Sequence, residues 1–223
     1  MPTQQQPRPL GRPPASSFDD TLERIMAAAE VLFARRGFDS TSIKDIAEAA
    51  RLTPPALYHY FDSKEALFVG TLQDRAAKLM ARFEAGAASQ VGVLDKLCAL
   101  LDVAVLVNKD DKNIMLFVLS ANLEAARNPQ LSTRKRSDRS YRLMRELFAD
   151  ILETALRNGE LDPDSDIEAL IDMLDACMGG MTRFAALAHT RSELERAIEM
   201  FKDLLRGQIS WQCSGAAHKS RRG

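Results

Sequence analysis

The stretch Thr41-Ser42-Ile43-Lys44-Asp45-Ile46-Ala47-Glu48-Ala49-Ala50-Arg51-Leu52-Thr53-Pro54-Pro55-Ala56-Leu57-Tyr58-His59-Tyr60-Phe61-Asp62-Ser63-Lys64 decides the fold. Ser42 is a good N-cap, and Ile43, Ile46, Ala47 and Ala50 follow at helical spacing for two turns. Arg51-Leu52-Thr53 interrupts that helix. Thr53 before Pro54 restarts it, because the hydroxyl caps free N–H groups and proline is preorganised for the first helical position. Ala56, Leu57, Tyr58, His59 and Tyr60 then ride on a second short helix. Asp62 with Glu65 three residues later reads as a capping-box start for a longer third one. Two short helices across a three-residue turn have helix-turn-helix spacing.

Outward from this stretch, Leu22, Ile25, Ala29, Leu32 and Phe33 share one helical face beginning near Ser17, and Gly37 stands where a helix terminates in the left-handed conformation. Downstream, Leu67, Phe68, Leu72, Leu79 and Phe83 predict a helix from Ser63 to about Ala85. Five more helical segments are expected at roughly 91–107, 113–127, 132–157, 166–188 and 192–210. Their breaks are marked by Gly86 and Gly92, Lys109-Asp110-Asp111, Asn128-Pro129, Asn158-Gly159 and His189-Thr190. Ser165 with Glu168 and Thr190 with Glu193 read as capping boxes. No alternating strand pattern occurs, so the expected fold class is all-α, with about nine helices.

At 223 residues and 46% hydrophobic content the chain can bury a substantial core. Lys and Arg total 30 against 31 for Asp and Glu, so overall charge neither favours nor excludes nucleic acid. Cys98, Cys177 and Cys213 are far apart and have no histidines at metal-ligand spacing; they are expected to be reduced, in a cytoplasmic protein without metal or cofactor. No apolar run reaches the roughly 18 residues of a membrane span. Residues 1–16, rich in proline and glutamine, read as a disordered arm, either a solvated tail or, through Arg8 and Arg12, a groove contact. Residues 213–223 read as a disordered tail. No phosphate loop or nucleophile-histidine motif occurs, so no catalytic residue is expected.

The order helix, Gly37-Phe38, Thr41 to Ala47, Leu57-Tyr58-His59-Tyr60-Phe61 and Ser63-Lys64-Glu65-Ala66-Leu67 resembles the DNA-binding domain of TetR-type transcriptional regulators over residues 18–68. Domains are accordingly expected at 17–64 for DNA binding and 65–212 for ligand binding and dimerisation. The second helix of such a motif enters the major groove, so Pro54, Pro55, Ala56 and Tyr58 become the groove-facing set. Similarity assigns phosphate contacts to Ser42, Lys44, Tyr60 and Lys64, with His59 and Ile43 beside them. Residues 1–64 carry eight basic and eight acidic side chains, so binding must rest on a local stripe. Glycine is usual in the family where Arg51 stands. A left-handed backbone there costs about 1 kcal/mol, while the side chain could add a phosphate contact.

One such motif covers too few base pairs for useful specificity, and a palindromic double-stranded operator invites a homodimer. The expected interface uses Leu174, Cys177, Met178, Ala185, Ile198, Phe201 and Leu205. Gly179-Gly180 would allow close helix approach or leave space for a ligand. The family layout further implies a small, largely apolar effector. Met115, Phe117, Asn122, Met144, Phe148, Met173, Met181 and Arg183 are its candidate pocket. The implied function is a ligand-released repressor; the alternative is an all-α ligand-binding or interaction protein with a non-functional helix-turn-helix.

Overall fold

The computed structural model describes residues 16–128, 131, 137–187 and 190–209, with the side chain of Asn122 outside the described set. The terminal arms and the basic residues Arg134, Lys135 and Arg136 also lie outside it. Among the described residues there are nine helices and no strand. They are α1 (Ser16–Arg36), α2 (Ile43–Ala49), α3 (Pro54–Tyr58), α4 (Lys64–Ala88), α5 (Val93–Asp110), α6 (Lys112–Arg127), α7 (Ser137–Arg157), α8 (Ile167–Leu187) and α9 (Arg191–Leu205).

The breaks follow local chemistry. Gly37 turns the chain at φ 76°, and Thr41 seals the turn by donating its hydroxyl to the Gly37 carbonyl at 2.8 Å. Ser42 caps α2 by accepting the Asp45 N–H at 3.1 Å, while the Asp45 carboxylate accepts the Ser42 N–H at 3.1 Å. That closes a capping box. Three expectations are corrected. The cap of α4 is Ser63, whose hydroxyl accepts the Ala66 N–H at 3.0 Å, rather than Asp62. Asp166, not Ser165, caps α8 through the Ala169 N–H at 3.0 Å. Gly86 ends nothing: α4 runs through it to Ala88, and a Cβ there would lie 2.6 Å from Val103 Cγ2. The glycine lets α4 and α5 approach, and the chain instead turns at Gly92, at φ 87°.

Arg51 has φ 57°, the one non-glycine residue with positive φ among those described. It is the left-handed residue of a Schellman turn: the Arg51 N–H reaches the Glu48 carbonyl at 3.0 Å, and the Leu52 N–H reaches Ala47 at 2.8 Å. Arg51→Gly is therefore expected to raise stability by up to about 1 kcal/mol, the relief of strain outweighing the looser unfolded chain. Thermal unfolding reads this directly, and a lowered midpoint would contradict it.

Two clusters of buried side chains organise the molecule. The larger joins α4, α5, α7, α8 and α9 with the start of α6, through residues such as Phe83, Leu100, Val107, Phe148, Ile171 and Ile198. The smaller lies among α1, α2, α3 and the start of α4, through Ile25, Phe33, Ile46, Leu57 and Phe68, and it also takes in Phe117, Ala121 and Leu131. Helix α4 contributes to both clusters. The four phenylalanines Phe33, Phe38, Phe68 and Phe117 interlock, with Phe33–Phe68 and Phe68–Phe117 centroids 5.0 and 5.9 Å apart in edge-to-face arrangement. Near them Glu124 accepts the Phe38 N–H, its two oxygens lying at 2.9 and 3.1 Å. Helix α6 is thereby fastened to the turn that leads into α2.

Candidate nucleic-acid interface

Helices α2 and α3 meet through buried Ile46, Ala47 and Leu57, which fixes the pair as one unit and leaves the opposite side of α3 outward. On that side Pro55 and His59 are exposed, Pro54 and Ala56 are half-buried, and Tyr58 is 50% exposed. Beside α3 lies an open depression of about 550 Å³ lined by Asp39, Ser40, Thr41, Ser42, Ile43, Lys44, Pro54, Tyr58 and Lys64. The sequence-assigned residues Ser42, Ile43, Lys44, Pro54, Tyr58 and Lys64 therefore converge on one concave surface.

Their availability differs. Lys44 is exposed, and no ion pair is recorded for it among the described residues. Lys64 is tied inward: its ammonium donates to the Phe38 carbonyl at 2.9 Å and to Thr41 at 3.1 Å, and it sits 4.1 Å from the Phe38 ring centroid. One of its three N–H groups is left for an anion. The Ser42 hydroxyl both caps α2 and donates to the Asp45 carboxylate at 2.7 Å, so it has no proton left for a phosphate. That bond, first among the causes, holds the Asp45 carboxyl below its usual range. Tyr60, half-buried, stacks on Phe18 with centroids 4.8 Å apart. Phe18 itself is exposed, and the periodicity of α1 gave no signal for it because it lies outside the helix's buried stripe. Ile43 packs against the smaller core as well as lining the depression.

The sequence of this region matches the bacterial regulatory proteins, tetR family, over residues 25–70, and the tetracyclin repressor-like C-terminal domain matches residues 93–201. The chain belongs to the TetR family. It is 27% identical over 144 residues to the HTH-type transcriptional regulator UidR of Escherichia coli strain K12, covering 65% of this chain and 70% of that protein. Identity to the HTH-type transcriptional repressor KstR2 of Mycolicibacterium smegmatis is 28% over 155 residues, covering 70% and 72%. Among solved structures, Salmonella enterica GusR aligns at TM-score 0.66 and 27% identity, over 84% of this chain and 94% of that one. FadR from Bacillus subtilis in complex with stearoyl-CoA shares the fold at TM-score 0.71 and 18% identity, over 84% and 99%. The protein is a TetR-family transcriptional regulator with a helix-turn-helix.

Within this TetR fold the expected effector residues sit in different surroundings. Phe117 is fully buried in the aromatic cluster with Phe33 and Phe68, at the junction of α6 with α1. Met115 and Phe148 are buried in the larger core, with Met144 and Met181 packed against it. Met173 and Arg183 are exposed, so neither faces an interior cavity. Asn122 falls outside the described side chains.

The expected dimer set is corrected at three positions, Leu174, Met178 and Ile198. Leu174, Met178 and Ile198 are buried within their own chain, while Ala185, Phe201 and Leu205 pack against the same core and Cys177 is half-buried. The outward apolar residues are instead Met173, Ala176, Gly180 and Phe184 on α8, with Met200 and Leu204 on α9. Their spacing of three or four residues makes one stripe on each helix. Beyond its chain neighbours and the nearby backbone of α8 itself, a Cβ added at Gly179 or Gly180 would meet nothing within 4 Å among the described residues.

Proposed function

We propose that the protein is a homodimeric repressor that occupies a palindromic operator and is released by a small, largely apolar effector. Residues 17–64 would read DNA, residues 65–212 would bind effector and dimerise, and the protein would act in the cytoplasm. The observation that carries this reading is the outward edge of α3 beside a depression edged by Lys44 and Lys64. In a helix-turn-helix that edge enters the major groove while flanking groups hold phosphate. The exposed apolar stripes, one on α8 and one on α9, support pairing, since apolar surface left outward marks an interface. The similar KstR2 is a transcriptional repressor, which supports the sign of regulation, and FadR's complex with stearoyl-CoA supports an apolar effector chain.

DNA binding is tested by measuring the affinity of Lys44→Ala and Tyr60→Ala for a selected operator at several salt concentrations. Loss of a phosphate contact is expected to weaken every sequence about equally and to reduce the slope of log affinity against log salt by about one for Lys44. Unchanged affinity and slope in both variants would sink the phosphate assignment. Lys64→Ala also severs the ties to Phe38 and Thr41, so its thermal stability has to be measured alongside its affinity.

A further inference from the structure

Resting on that DNA-reading assignment, we infer that the protein selects its operator through the 5-methyl groups of thymine facing Pro55 and Ala56. Helix α3 begins Thr53-Pro54-Pro55, and neither proline has an N–H. The next amide, that of Ala56, is capped by Thr53 Oγ1 at 3.4 Å, and the Leu57 N–H reaches the Thr53 carbonyl at 3.1 Å. The start of the reading helix therefore offers no free backbone donor. Its outward side chains there, Pro54, Pro55 and Ala56, are aliphatic, and the first polar group along the edge is the Tyr58 hydroxyl.

In the major groove guanine presents two acceptors, adenine an acceptor and a donor, and cytosine a donor, whereas thymine presents a methyl group beside its acceptor. An aliphatic edge gains by covering that methyl. Against a purine or cytosine it strips water from polar groups and supplies no partner in return. Attraction and exclusion thus favour the same base. Thr53 retains its hydroxyl proton and Lys44 its ammonium, but both flank the aliphatic patch and do not interrupt it. Tyr58, four residues beyond Pro54, sits one helical turn along and is free to read or grip at a separate position.

The test uses the full chain and a duplex obtained by unbiased selection. Each thymine of a half-site is replaced singly by uracil, which removes only the methyl. One or two adjacent positions should lose roughly fourfold in affinity each, the weight of one well-buried methyl group, with the other positions unaffected. In parallel, Pro55→Arg supplies a bidentate donor, and repeated selection should move the preference at the facing position from thymine to guanine. Sequence-selective binding that ignores every uracil substitution, or a selected half-site without thymine at these positions, would overturn the methyl readout while leaving DNA reading intact. Failure to select any sequence would overturn both.

Discussion

Replacing Phe117 by alanine is expected to destabilise the chain by roughly 3–5 kcal/mol, the usual range for emptying a fully buried phenylalanine site. The site cannot collapse easily, because Phe33 and Phe68 are themselves fully buried and belong to α1 and α4. A second effect separates this variant from other core truncations. Phe117 stands on α6 but packs in the cluster of the DNA-binding helices, so its loss should loosen that unit from the rest. Urea denaturation followed by amide exchange should show the added opening concentrated in α1 to α3. A loss below about 1 kcal/mol would show that the aromatic cluster contributes little to holding the units together.

Arg75→Leu should be comparably damaging, for an electrostatic reason. Arg75 is buried on α4, with Glu23 at 2.7 Å, Asp74 at 2.9 Å and the buried Glu30 of α1 at 2.7 Å. Above pH 7, where Glu30 is ionised, removing the cation leaves its carboxylate buried without a counter-charge, which typically costs about 3–5 kcal/mol. Glu30 already has a carboxyl pushed up to about 7, by burial first and then by the facing carboxylate of Asp111 at the start of α6, against the pull of Arg75. Its Oε1 has no hydrogen-bond partner among the described residues. A proton there satisfies that oxygen and can be shared with Asp111.

The folded chain then holds this proton from the unfolded value of 4.5 up to about 7, where the unfolded chain has lost it. By linkage the associated stability is complete below pH 4.5 and is lost as pH rises through 7, on the order of 3 kcal/mol in all. Glu23, whose carboxyl is lowered chiefly through Arg75 and Lys78 against an opposing burial penalty, acts in the other direction and loses its contribution in acid. Stability should therefore peak on the mildly acidic side. Glu30→Gln should flatten the decline between pH 5 and 7, and Arg75→Leu combined with Glu30→Gln should recover part of the single variant's loss. An undiminished decline in Glu30→Gln would assign it to other groups.

Local chemistry made much of this fold legible. Ser42, Thr53, Gly37 and Gly92 each mark a chain turn by a cap or a positive φ, and both depend on a few neighbouring residues. Competition between adjacent candidates was less readable: Asp62 and Ser63, or Ser165 and Asp166, are all good caps, and the helix start decides between them. Side-chain destinations depended on distant partners. Periodicity placed Leu174 and Met178 on α8 correctly, yet a helix apolar on two sides does not reveal which side its own core takes. Likewise Lys64 reads as a surface cation until the carbonyls of Phe38 and Thr41, more than twenty residues earlier, are brought beneath it.

The carboxylate of Glu124 gripping the Phe38 N–H bears on how such regulators can be recombined. A chimera that joins this reading head to a foreign sensor within α4, just after Phe68, would keep Phe33, Phe38 and Phe68 but lose Phe117, Ala121 and Glu124, all supplied by α6. The transplanted head would present an uncovered aromatic surface and an amide without its acceptor. Portability here requires grafting the facing side of α6 together with the head, because the structural seam between them does not coincide with any single point along the chain.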